Sequence, residues 1–179
     1  MIRRLLYRYT ANRPCKLISR NGVPYLERYF VATTKSHSIY LHRFVGADGD
    51  LEVHNHPFDA ISIVLAGGYT EEVVKEFSIR HGLGIVLRQV TRFNRISADK
   101  YHRIAETQPD TWTLFIHNKR KGRTWCFVEA IPPILKNGVM HWEFTFHQPF
   151  PLTTDEDHWW EKCPLGISAG REPMPATRR

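Results

Sequence analysis

The sequence predicts an all-β chain folded as a closed or double-sheet antiparallel barrel, and three observations predict it. Short segments rich in β-branched and aromatic residues follow one another closely. Turn residues punctuate them, and no segment sustains a 3.6-residue apolar period. Many short strands at such spacing pack as a sandwich, jelly roll or barrel.

The strand segments are 24–32, 37–45, 51–54, 60–66, 84–93, 111–117 and 124–129. Gly46-Ala47-Asp48-Gly49-Asp50 is a tight polar connection between two of them, Gly67-Gly68 ends another, and Gly82-Leu83-Gly84 opens the next. The segment 70–78 reads either as a helical turn or as a strand edge. Beyond Phe146 the character changes. Pro149, Pro151 and the acidic run Asp155-Glu156-Asp157 precede a short helix expected over 153–162, with Thr154 as its cap. The Gly-, Pro- and Arg-rich end reads as a loose basic tail. The expected organisation is therefore one barrel domain over 1–165 and a flexible tail over 166–179.

The 179 residues suffice for a single core without staples, since a chain of this length buries about 70% of its unfolded surface. An apolar fraction of 42% argues against global disorder. The formal charge of +7 lies largely at the two ends and in Lys119–Arg123. It reads mainly as solvated charge, with nucleic acid as an alternative partner for a basic patch. Cys15, Cys126 and Cys163 are far apart and form no CxxC pair, which argues against a disulfide framework and a thiolate zinc site. The start Met1-Ile2-Arg3-Arg4-Leu5-Leu6 begins like a leader, but Arg8 and Arg13 interrupt it. No stretch approaches the about 18 apolar residues of a membrane span, so the expected location is the cytoplasm.

The chemistry concentrates in His54-Asn55-His56-Pro57-Phe58. On a strand, residues i and i+2 face the same way, so His54 and His56 present two imidazoles side by side. Neutral imidazole suits Fe, Ni, Zn and Mn. Two solvent-facing histidines on an edge strand is the plainer alternative. Pro57 ends the strand and places the pair near a barrel mouth.

The stretch HNHPFDAISIVLAGGYTEE resembles the first motif of the cupin superfamily: two histidines one residue apart, a Pro, a turn, and a strand ending here in Val64-Leu65-Ala66-Gly67. The second cupin motif places one more histidine on a later strand, where His102 stands in SADKYHRIAE. The resemblance covers roughly 37–129 and is to small bacterial or phage cupins. It implies a cupin-like antiparallel double-sheet jelly-roll barrel with a short C-terminal helix or tail. It also implies one divalent metal ion, Fe foremost with Zn, Ni or Mn as alternatives, on His54, His56 and His102. The usual Glu of the first motif is replaced by Ala60 or Ile61. Asp59 is the tentative fourth ligand, and a carboxylate-free three-histidine site is the alternative.

Alternation adds that Ala60, Ser62 and Val64 face inward and leave room for a ligand, with Ile61, Ile63 and Leu65 packing outward on the second sheet. Tyr69 and Tyr101 flank the site in sequence and are candidate catalytic proton donors. Of Arg43, Arg88, Arg92, Arg95 and Arg103, one or two pointing inward would bind a carboxylate or phosphate, with Arg88 and Arg92 expected on the outer face. Glu71 and Glu72 form either a second carboxylate pair or a solvated strand face. Trp112 and Trp125 are expected in the core. The expected activity is that of a metal-dependent enzyme, an oxygenase or an isomerase or lyase, on a small polar or anionic molecule. The alternatives are a non-catalytic ligand- or protein-binding module and a basic nucleic-acid-associated accessory protein. A homodimer paired through sheet edges is also expected.

Overall fold

The computed structural model describes residues 1–20, 22–47, 52–119, 124–148 and 158–174. A helix, α1 (Ile2–Thr10), leads into β1 (Cys15–Arg20), β2 (Val23–Thr33), β3 (His37–Phe44), β4 (Val53–Asn55), β5 (Ala60–Ala66) and β6 (Tyr69–Ser78). Then follow β7 (Gly82–Val90), β8 (Phe93–Ile96), β9 (His102–Thr107), β10 (Thr111–Asn118), β11 (Cys126–Lys136) and β12 (Val139–His147). Single-turn 3₁₀ helices at Trp159–Glu161 and Gly166–Ser168 follow.

The strands form two six-stranded sheets, ordered β1-β2-β3-β10-β5-β8 and β12-β11-β4-β9-β6-β7. Neighbouring strands run antiparallel throughout. This is the double-sheet jelly-roll architecture that the strand pattern predicts.

The first sheet is covered on both faces. Tyr40, Ala60, Ile96 and Phe115 cluster on its inner face, where Phe30 and Phe58 join them and Trp159 closes over them. On its outer face Cys15, Tyr29, Leu41 and Trp112 form a second core, against which Leu6 and Tyr7 of α1 pack. Strand β3 is therefore buried along nearly its whole length, on both sides of the pleat.

Alternation along β5 is as predicted, with Ala60 and Ser62 buried inside and Ile61 and Ile63 left partly exposed outside. The layer outside β5 is not a second sheet, however, because the second sheet lies on the inner side. Leu65 packs instead into the cluster shared with α1. Gly67 turns the chain from β5 to β6 at a φ of 77°, and a Cβ there would meet the Thr111 hydroxyl at 2.4 Å.

Several expectations are corrected. The basic N-terminus is a helix, held through Leu6, Tyr7 and Thr10; with only nine residues it shows too little period to be read from sequence. The segment 70–78 is strand, in β6. Strands β1, β8 and β12 escaped prediction, as did the far half of β11, while β9 was expected only as the later strand that carries His102. There Pro132 and Pro133 argue against a strand, and a register shift between Ile131 and Ile134 accommodates them.

Residues 166–174 are not a loose tail. Gly166 N–H donates to the Arg13 carbonyl (2.8 Å), Ile167 N–H to that of Ala11 (2.9 Å), and Glu172 N–H to the Glu27 carboxylate (2.7 Å). Arg43 donates to the carbonyls of Glu172 (2.7 Å) and Pro173 (3.1 Å). The polar turn at 48–50, the basic residues 120–123, the first half of the helix expected over 153–162, and residues 175–179 lie outside the described residues, and the second half of that helix is only the single 3₁₀ turn Trp159–Glu161. No helix among the described residues is long and apolar enough to cross a membrane.

Candidate metal centre

Strand β4 is the shortest of the second sheet, yet it lies between β11 and β9. Its pairing sets the site. His54 stands directly opposite His102 of β9 on one side and Phe127 of β11 on the other. His56, two residues on, falls on the same face. Each of the three histidines offers a ring nitrogen, and these atoms all lie within 4.8 Å of one another. The Nε2 atoms of His56 and His102 are 2.8 Å apart.

Aromatic rings wall the group. Trp125 lies 4.4 Å from the His56 ring and 5.5 Å from that of His54, centroid to centroid. Phe58 stacks on His56 at 5.4 Å, and Phe127 lies 5.0 Å from His54. Trp125, expected in the core, is therefore a wall of the candidate site, whereas Trp112 is buried in the outer core of the first sheet.

Burial keeps His54 and His56 neutral. It pushes His54 down to about 3, with the neighbouring His102 adding to the effect. Burial likewise holds His56 well below its ordinary value, helped by His102, His54, Arg28 and Lys100. Neutral imidazole is the form that ligates a metal. The Nδ1 of His56 is buried with no hydrogen-bond partner among the described residues. Three imidazole nitrogen donors converging in an aromatic pocket fit a divalent transition ion.

Asp59 is not part of this cluster. One of its oxygens accepts from the Ala98 backbone N–H (2.9 Å) and the other from the Asn118 side-chain amide (3.3 Å). Its carboxylate ties the start of β5 to the turn before β9 and to the end of β10. Of the two candidate ligand sets, the carboxylate-free one matches this placement.

The acidic pair of β6 divides. Glu72 faces out and pairs with Arg103, whose Nε donates at 2.6 Å. Glu71 is wholly buried, between the inward residues Tyr69 and Val73, and so is not part of a solvated face. Its Oε1 lies 2.5 Å from His102 Nδ1 and 2.6 Å from Lys100 Nζ, and it accepts from Asn94 Nδ2 at 3.2 Å. Its Oε2 accepts from Arg88 Nη2 at 2.6 Å and Nε at 3.1 Å. Burial alone would raise the Glu71 pKa. The hydrogen bonds from His102 and Lys100 and the charge of Lys100 outweigh it and hold the carboxyl below its usual range. Burial also lowers Lys100, in part against the pull of Glu71.

The signal for Glu71 was the alternation Tyr69-x-Glu71-x-Val73, which puts one member of the Glu pair inside with two apolar neighbours. Arg88 thus reaches an inner carboxylate rather than lying on the outer face. Lys100, also missed, stands two residues before His102.

The remaining arginines fall elsewhere. Arg43 faces the outer core, where its guanidinium meets Glu27 (3.2 Å) and Asp110 (2.6 Å). Arg92 and Arg95 are exposed. Arg28 of β2, not singled out from sequence, pairs across from His42 on the inner face, 5.6 Å from the Tyr40 ring centroid.

The two tyrosines also divide. Tyr69 is buried inside the barrel, its hydroxyl accepting from Asn94 Nδ2 at 3.0 Å, and burial raises its pKa. The ring partners of Tyr101 are Phe77 and Phe146, not the histidines. Burial and the Cys126 thiol beside it push its pKa up to about 12. The expected placement of Tyr101 at the site is corrected: the residue before His102 on the chain points to the opposite face.

Comparison with known protein families returns no match, and neither does comparison with curated sequences. Among solved structures the chain is similar to KdgF from a Halomonas species, with 20% identity and a TM-score of 0.43 over 59% of this chain and 94% of that one. It is also similar to an RmlC-like cupin from Shewanella frigidimarina (16% identity, TM-score 0.41, 60% of this chain and 86% of that one). A third is oxalate decarboxylase from Bacillus subtilis (13% identity, TM-score 0.45, 62% of this chain and 28% of that one).

Proposed function

We propose that the protein is a mononuclear metal-binding cupin in which His54, His56 and His102 hold one divalent ion, Fe(II) foremost with Zn, Ni or Mn as alternatives. We further propose that it is a metal-dependent enzyme, an oxygenase or an isomerase or lyase, acting on a small polar or anionic molecule. The observation that carries the reading is the convergence of three histidine ring nitrogens within 4.8 Å in a buried pocket. A divalent ion held by three imidazoles supplies Lewis acidity at coordination positions that the protein leaves open.

The chain's own residues have assignable parts. Trp125, Phe58 and Phe127 exclude water and hold the imidazole rings in place. Arg28 adds positive charge near His56, which favours an anionic ligand. Tyr69 is the remaining candidate proton donor, since Tyr101 faces away. Cupins host many unrelated reactions, so the reaction class is set by the metal and ligand rather than by the fold.

The deciding experiment is elemental analysis of protein purified without a polyhistidine tag, before and after incubation with Fe(II), Mn, Ni and Zn. One redox-active iron per chain supports the oxygenase, and zinc held by a closed shell supports a structural metal in a binding module. Failure to take up any of the four ions would sink the reading.

A further inference from the structure

We infer that Glu71 is a positioning residue for the third histidine: it holds His102 with Nδ1 protonated and Nε2 turned toward His54 and His56. This rests on the three-histidine reading above.

The hydrogen-bond chemistry leaves one arrangement. An ionised carboxylate only accepts, so the 2.5 Å contact places the hydrogen on His102 Nδ1. A neutral imidazole then carries its lone pair on Nε2, the atom that lies 2.8 Å from His56 Nε2. The strand register builds this contact. Val73 pairs with His102, and Glu71 pairs with Ile104 after a shift in the β6–β9 register. Glu71 and His102 are thus diagonal neighbours on the inner face, within reach of a long side chain.

Glu71 is itself fixed from the far side. Lys100 and Asn94 share Oε1 with His102, and Arg88 places two N–H groups on Oε2. Arg88 and Lys100 also donate to Asn94 Oδ1, so the four side chains form one connected unit. Swinging onto the ion as a fourth ligand would break this set of bonds. Two cations, Arg88 and Lys100, flank the carboxylate and hold it in place. Such outer partners fix the tautomer and ring direction of a ligating histidine.

The test has two readouts, neither of which is turnover. In metal-free wild-type protein labelled with ¹⁵N-histidine, long-range ¹H–¹⁵N correlations report the tautomer of each ring. His102 is expected as the Nδ1–H form. In chelator competition with Zn²⁺, Glu71→Ala is expected to weaken binding about 10- to 100-fold. Glu71→Gln, which keeps an accepting oxygen, is expected to recover part of that loss. An Nε2–H tautomer at His102, or wild-type Zn²⁺ affinity in a folded Glu71→Ala protein, would overturn the inference. Should Glu71→Ala not fold, the wild-type tautomer decides alone. Wild-type protein that takes up no metal would overturn the three-histidine reading, while the His102 tautomer would still report whether Glu71 holds the ring.

Discussion

His56 and His102 face each other through their Nε2 atoms at 2.8 Å. Two lone pairs cannot share that gap, so one of the two atoms carries a hydrogen unless a cation lies between them. With Nδ1 of His102 committed to Glu71, its Nε2 is left either to accept a hydrogen from His56 or to bind a cation. His54→Ala and His56→Ala are therefore expected to lose most bound metal while keeping the far-UV circular dichroism of the wild type. Full metal occupancy in both variants would remove the basis of the proposed centre.

Asp59→Ala should separate the ligands from their surroundings. Its carboxylate serves the Ala98 backbone and the Asn118 amide, so the variant leaves those donors unmatched and should lose about 1–3 kcal/mol of stability. Metal content is expected to stay near wild type, and in any case far above that of the histidine variants. Complete metal loss, measured by the same elemental analysis, would instead make Asp59 an essential ligand.

Arg43→Met tests the other face of the first sheet. The change leaves Glu27 buried without its cation and Asp110 with only the half-exposed Arg3, which should cost about 3–5 kcal/mol. Urea denaturation would show it as a lower midpoint. Because Arg43 points away from the histidines, metal affinity in the folded variant should be unchanged. A midpoint equal to wild type would show that the ion pair is not needed to hold residues 172 and 173.

Acid should destabilise the metal-free protein before most carboxylates titrate. His54 has a folded pKa of about 3 against about 6.5 in the unfolded chain, so the unfolded state binds more protons throughout that window. The His54 contribution is complete above pH 6.5 and is lost as pH falls toward 3. His56 is shifted in the same direction by burial. Each group contributes a slope of up to about 1.4 kcal/mol per pH unit. Urea midpoints between pH 7 and 4 should fall steadily, and His54→Ala should flatten the slope. A flat wild-type profile would mean that the rings are not held neutral.

Much of this was legible in the chain itself. His54 and His56 share a face because strand side chains alternate, and the burial of Ala60 and Ser62 against the exposure of Ile61 and Ile63 follows from the same rule. What remained hidden depends on neighbours distant in sequence. Glu71 looks like half of an exposed acidic pair until Arg88, Asn94 and Lys100 are brought around it. Asp59 stands close to His56 in sequence, yet its carboxylate is drawn away by the Ala98 amide. Residues 166–174 look loose by composition, but Arg43 and Glu27 capture their backbone from the outer face of the first sheet.

That capture imposes an order on synthesis. Arg43 waits for the carbonyl of Glu172, 129 residues later in the chain, and Glu27 waits for the amide of the same residue. Until the ribosome has released that segment, the nascent barrel holds a buried charge cluster with part of its hydrogen bonding unmet. The first sheet can therefore reach its final packing only after residues 172 and 173 have been made, and a chain halted before them would leave that cluster open to water.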